Sequence, residues 1–381
     1  STKCDDPRGK PRMNAETSVY DYSARVSRAR ALMNSHNMDA IFVTAGPDMI
    51  YFTGYTAYEG GWPIWLSAFV LTANAEPVLI ISEMNRAIYE AKGSSWVQDV
   101  RAYMDGDDPR GLLSEVFVEL GVSDGCLGVR DDMWFGDSTL LQAAMPDVKI
   151  VSAGKLLGEL RMIKDDDEIK HLRLANDYSA AGYQQARESI QVGRSEYEVA
   201  LEIAGAMMAS GSTKIGVGGH FRNCSHRTFQ AGDPVDVDLS GQHSSYNSDT
   251  ARMVFVGQPS GEVERMYRIT LEAYEATLEK IRPGVCVADI HHVCAGYMAK
   301  HGYEQVWKVG HGVGLGPVHE APLLEAGSEL VLEPGMVFTV DPGCFMTGGY
   351  KDLPIHIEDN ILVTSDGAVS ISSYTLDMVV V

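Results

Sequence analysis

Pro234-Val235-Asp236-Val237-Asp238-Leu239, followed after a short polar stretch by Asp249-Thr250-Ala251-Arg252-Met253-Val254-Phe255-Val256, decides how this chain is read. In the first run Val235, Val237 and Leu239 alternate with two aspartates. A strand sends alternate side chains to opposite faces, so one face is apolar and the other carries both carboxylates. The second run begins at an aspartate after Ser-Ser-Tyr-Asn-Ser, and the pair predicts a hairpin with Asp238 and Asp249 side by side. Val337-Phe338-Thr339-Val340-Asp341 and Ile355-His356-Ile357-Glu358-Asp359-Asn360-Ile361 predict two further strands, each with an acid turned to the same cavity. One aspartate in a turn is ordinarily a cap or a solvated group. Carboxylates repeated on apolar strands need another account, because burying an unpaired charge is costly. With His311, the acids Asp238, Asp249, Asp341 and Glu358 form a donor set suited to divalent manganese, cobalt, iron or zinc. Four carboxylates neutralise two divalent ions, the number used to clamp a hydroxide and polarise a scissile bond.

These runs resemble a known family. Asp238-Leu-Ser-Gly with Tyr246-Asn-Ser-Asp249-Thr-Ala-Arg252 resembles the paired-aspartate hairpin of the pita-bread family, which includes methionine aminopeptidase, Xaa-Pro aminopeptidase, prolidase and creatinase. Gly310-His311-Gly312-Val313-Gly314-Leu315 with His319-Glu320-Ala321-Pro322 resembles its Gly-His-Gly segment, with Pro317 as an apparent one-residue insertion. The run from Leu332 through Asp341-Pro342-Gly343 resembles its Pro-Gly-Met…Glu-Pro stretch, and His356-Ile-Glu358-Asp359 its closing Arg-Ile-Glu-Asp. Arg161-Met-Ile-Lys164 with Asp167-Glu168-Ile169 resembles the opening of the catalytic domain in prolidases and creatinases.

The resemblance implies roles. Asp238 would chelate one ion, Asp249 and Glu358 would bridge two, and His311 and Asp341 would hold the second. A hydroxide bridging the metals would attack the substrate carbonyl. His220 and His319 would donate to that carbonyl or to the tetrahedral intermediate, with His226 competing for the place of His220. Three positions depart from the family pattern. Its glutamate is Asp341, which would serve in proton transfer as well as metal binding; its tyrosine is Phe345; its arginine is His356. Arginine and tyrosine form a relay in the Xaa-Pro enzymes, so both ends have changed, and His356 with Asp236 would add polar groups around the metals. Tyr55, Tyr58, Trp62 and Trp65 cluster around Gly54, Gly60, Gly61 and Pro63, where prolidase-like dimers extend a wall over the partner's active site. Tyr58, Trp62, Trp65 and Phe345 are therefore expected at the substrate, in a homodimer. The alternative for Trp62 and Trp65 is a place in the core.

Length fits two domains, since 381 residues exceed what one core usually holds. The expected order is a flexible arm (1–12), an α/β creatinase- or prolidase-like N-terminal domain (13–160) and an α+β pita-bread catalytic domain (161–381) with pseudo-twofold symmetry. Strands are expected at 39–44, 66–72, 77–82 and 148–151. Helices are expected at 83–91, 165–189 and 262–281, and at 19–35 with Arg25, Arg28 and Arg30 on the wet side. Ser195-Glu-Tyr-Glu198 reads as a capping box. A net charge of −21 weighs against nucleic acid and anionic membranes as partners. Six scattered cysteines suggest reduced thiols and a cytoplasmic home, and the polar N-terminal residues show no signal-peptide core. No apolar run approaches the ~20 residues that span a bilayer.

The leading expectation is a dinuclear metallohydrolase resembling Xaa-Pro dipeptidase or aminopeptidase, acting on a small peptide or amide. One alternative is a non-peptidase enzyme on the same fold: a C–N hydrolase like creatinase or ectoine hydrolase, or a lyase like the dimethylsulfoniopropionate-cleaving relatives. A catalytically inactive binding homologue is the other. Fold alone does not choose among them.

Overall fold

The structure, a computed structural model, describes residues 20–55, 65–91, 96–221, 226–305, 308–316, 319–344 and 355–381. The expected arm lies outside them, as do Tyr58, Trp62, Pro317 and Phe345.

The N-terminal part is built on a six-stranded mixed sheet. Its spatial order is Asp99–Tyr103, Val78–Ser82, Ala68–Thr72, Ala40–Thr44, Cys126–Val129, Lys149–Ser152. The three central-strand sequences AIFVT, AFVLT and VLIIS are buried along their whole length, as unbroken apolar runs between two covering layers should be. One face packs on the helices Arg110–Glu119 and Phe135–Ala144 through Phe42, Val70, Leu113, Phe117 and Leu141. The other packs on Tyr22–Ser35, Pro47–Thr53 and Gly154–Met162, and that cluster continues into the second half through Leu172, Tyr246, Val313 and Val337.

The C-terminal part repeats one arrangement twice: two helices backing an antiparallel strand pair. Asp166–Ser189 and Glu196–Ser210 cover the apolar face of the Pro234–His243/Thr250–Phe255 hairpin, burying Val235, Val237, Leu239 and Val254 against Tyr183, Ile190, Val199 and Ile203. Gly261–Lys280 and Val287–Lys300 cover Val337–Val340 and Asp359–Val363 in the same way, through Met266, Tyr274, Ile290, Phe338 and Ile361. The acid-bearing strand faces therefore look inward, away from both helix pairs. No helix among the described residues is long and apolar enough to cross a membrane.

Three expectations need correction. Arg25 is 1% exposed rather than on the wet side of its helix. It shares the stripe of Tyr22, Val26, Ala29 and Met33, donates to the Tyr51 carbonyl at 2.8 Å, and pairs with Asp165 at 3.1 Å. The capping box is not at Ser195, whose hydroxyl makes no capping bond. It is at Asp165 and Glu168, each accepting from the other's backbone N–H, and it starts the helix Asp166–Ser189. Tyr55 is a core residue, edge-on to Tyr89 at 5.6 Å.

Candidate metal centre

Register brings the acids together. Asp238 pairs with Ala251 across the hairpin, and Ala251 exchanges both backbone hydrogen bonds with Glu358, each 3.1 Å long. Carrying the Val340–Asp359 pairing one residue further sets Asp341 opposite Glu358. Directly paired residues share a face. Asp238, Glu358 and Asp341 thus stand in one transverse row where the two sheets meet. Asp249 lies on the same face, diagonal to Asp238. The hairpin is closed by Ser244 and Ser245, both in the left-handed region (φ 48° and 70°), as a tight two-residue turn requires.

His311 reaches the same place from a narrow slot. A Cβ at Gly310 would collide with the Thr339 carbonyl, and one at Gly312 with the Ala321 carbonyl, so only glycine lets the strands close around the histidine. His311 Nδ1 is 3.2 Å from the Gly312 carbonyl, an acceptor, and so carries the proton. The lone pair of Nε2 then points inward, 3.3 Å from Glu358 Oε1 and 3.6 Å from Asp249 Oδ2. Opposite it stands His356. Its Nε2 is 2.7 Å from Asp341 Oδ1 and 3.8 Å from Glu358 Oε2, while Nδ1 is 3.4 Å from Asp236 Oδ2. Two groups of metal-capable atoms result: Asp249, His311 and Glu358, and Asp341, His356 and Glu358. His356 thus engages Asp341, one of the residues expected to hold an ion.

Acid outweighs cation here. Asp249 and Glu358 are held well above the usual carboxylate range, first by burial and then by neighbouring carboxylates: Glu358 and Asp238 act on Asp249, Asp341 and Asp238 on Glu358. Burial alone would push His356 down, but Asp236 and Asp341 outweigh it and hold the imidazole well above its ordinary value. Glu358 Oε1 and Asp236 Oδ1 are buried without a hydrogen-bond donor. Asp359, beside Glu358, is the contrast: it takes hydrogen bonds from Arg252 at 2.6 Å and Tyr274 at 2.9 Å.

The remaining site residues divide. His220, on the turn Gly219–Phe221, accepts the Asp236 backbone N–H on Nδ1 at 3.2 Å, which leaves the proton on Nε2. Burial lowers its pKa against the opposing charge of Asp236. His226 is exposed, its ring 5.0 Å from that of Tyr197. His319 is exposed, has a left-handed backbone (φ 82°), and sets its ring edge-on to His311 at 4.3 Å. Trp65 is half-buried just before the strand Ala68–Thr72.

Sequence reading missed what Arg161, Lys164 and Glu320 do. Glu320 accepts from Arg161 at 2.8 Å and Lys164 at 3.2 Å, and also from the Gly316 N–H at 3.0 Å. Arg161 reaches Asp48 at 2.9 Å as well, which fastens the glycine loop after His311 to the N-terminal part. No local spacing announced this, since Lys164 lies beyond the end of the helix Gly154–Met162 that carries Arg161.

Residues 170–365 match the model of metallopeptidase family M24, and residues 25–163 that of the creatinase/prolidase N-terminal domain. The "Probable dipeptidase PepE" of Mycobacterium tuberculosis is 32% identical over 98% of this chain and 99% of its own. Crystallised dipeptidase PepE from Mycobacterium ulcerans superposes with a TM-score of 0.83 at 30% identity, over 96% of this chain and 98% of that one. An Xaa-Pro dipeptidase from Bacillus anthracis gives 0.83 at 26%, over 95% and 100%.

Proposed function

From the premise that the chain belongs to metallopeptidase family M24, with a creatinase-type N-terminal domain, we propose that it is a dipeptidase hydrolysing Xaa-Pro or similar dipeptides with two divalent metal ions. The observation that carries this is the row of half-buried Asp238 with buried Glu358 and Asp341, joined by buried Asp249 and His311. Its donors fit hard or borderline divalent ions, and Glu358 Oε1, buried with no donor, is the kind of atom such an ion satisfies. Asp238, Asp249, His311, Asp341 and Glu358 would hold the ions. When bound, these supply Lewis acidity toward the scissile carbonyl and acidify the attacking water.

The chain's own residues do the rest. His220, neutral and protonated on Nε2, is a hydrogen-bond donor without a net charge that would compete for the carboxylates. His319, at the mouth against His311, offers a second donor to a developing oxyanion. Asp341 is the acid through which a proton would pass to the leaving amine, with the shorter reach of an aspartate. Trp65, with Tyr58, Trp62 and Phe345, would bound the substrate, and a partner subunit would complete that wall in a homodimer. A cytoplasmic location fits the four described cysteines, all unbridged. The small-metabolite and binding-only alternatives are not favoured, since the named relatives are dipeptidases.

The test is release of free proline from Gly-Pro and other Xaa-Pro dipeptides by protein reloaded with manganese, cobalt or zinc after chelation. Turnover that chelation removes and metal restores is expected. Folded, metal-loaded protein that leaves these dipeptides intact would overturn the reading.

A further inference from the structure

The two histidines of the pocket stand in matching positions. Glu358 divides its oxygens between them: Oε1 lies 3.3 Å from His311 Nε2, and Oε2 lies 3.8 Å from His356 Nε2. Each histidine also meets an aspartate through Nε2, Asp249 for His311 and Asp341 for His356. Each has its Nδ1 engaged from outside, His311 with the Gly312 carbonyl and His356 with Asp236 Oδ2. An outer acceptor on one ring nitrogen turns the other inward and makes it a better ligand; this is how metal-binding histidines are usually oriented. The backbone enforces the placement, because His356 pairs with Gly343 on a short ladder and sits beside Met253 of the aspartate hairpin.

We propose that His356 is a metal ligand, so that Asp341, His356 Nε2 and the shared Glu358 form a second three-donor position, with Asp236 as its positioning residue. This deepens the dinuclear reading above and rests on it. An arginine at this position has no lone pair to give, whereas a histidine adds a borderline nitrogen to an otherwise oxygen-only half. The pocket then carries one histidine per ion. That balance shifts the second position away from magnesium-like ions toward zinc, cobalt or iron. The competing account makes His356 a cation that merely neutralises Asp236 and Asp341.

Cadmium-loaded wild-type protein with nitrogen-labelled histidine separates the two, by cadmium–nitrogen couplings in magnetic resonance. Two coupled histidines, His311 and His356, on two cadmium ions are expected. Two bound ions with His311 alone coupled would overturn this inference and leave the dinuclear reading standing; no cadmium binding would overturn both. Substitution gives an independent readout of stoichiometry by mass spectrometry. His356→Arg keeps the positive charge but should weaken the second ion, its affinity falling by about tenfold or more, as loss of even a hydrogen-bonding partner of a ligand does. Asp236→Asn should weaken the same ion and spare the first. Full occupancy with wild-type affinity in His356→Arg would establish charge neutralisation instead.

Discussion

At the junction between the two halves, Glu320 is buried between Arg161 and Lys164, and Asp48 lies between Arg161 and Arg130. In the carboxylate pocket Asp236, Asp249, Asp341 and Glu358 meet two imidazoles, with Asp238 on the same face. The consequence appears in proton affinity. Burial pushes Glu320 up, but Arg161 and Lys164 outweigh it and bring it below its ordinary value. Burial pushes Glu358 and Asp249 up, and neighbouring acids push them further. Glu358 and Asp359 show the same division between consecutive residues, since Arg252 compensates the second and not the first. Charge balanced from within serves the fold. Acid in excess, on rigid strands and away from water, serves an ion from outside.

The junction should break hardest. Glu320→Gln takes the carboxylate partner from buried Lys164 and leaves Arg161 with Asp48 alone, and removing one partner of a buried pair costs about 3–5 kcal/mol. Denaturant unfolding should show that loss with or without metal, while ion stoichiometry in the folded protein stays at the wild-type value. A variant as stable as wild type would mean the junction is balanced by solvent. Its pH signature also has a definite sign. The folded pKa of Glu320 is lowered, so its contribution is present above the unfolded value and is lost as pH falls through the lowered one.

A smaller effect belongs to His171, on the helix Asp166–Ser189. Its ring stacks on His243 at 5.1 Å and Tyr246 at 5.6 Å, with Tyr20 tilted against it and Asp165, Asp167 and Lys170 nearby on its own helix. Burial, helped by His243, lowers its pKa from 6.5 to about 4. Between those values the unfolded chain binds the proton that the folded one refuses, so stability present at neutral pH is lost as pH falls through this window. His171→Phe should flatten the slope of stability against pH there. An unchanged slope would move the titration elsewhere.

How much of this was legible beforehand depends on distance along the chain. The carboxylate strands were readable because alternation is local: two aspartates between Val235, Val237 and Leu239 announce their face without a partner. Helix and strand positions in the N-terminal sheet followed from equally local patterns. The roles of Arg25 and Glu320 were hidden because each is decided by a distant residue: Asp165 and Arg161 are 140 and 159 positions away. Arg25 looked solvated because its helix was judged by charge, whereas its position falls on the buried stripe. Glu320 was read as part of a histidine motif, and its cations sit before the helix Asp166–Ser189 begins.

The central claim is that the pocket's excess acid is built for divalent ions. Its most direct test is thermal unfolding of wild type and Asp249→Asn, each with chelator and with saturating manganese, beside a count of bound ions. In chelator the variant should melt above wild type, because one mutually repelling carboxylate has gone. On adding metal, wild type should rise and bind two ions, whereas the variant should rise little and lack at least one. A variant that melts below wild type in chelator, yet keeps the full ion count and the full metal-induced rise, would contradict the account.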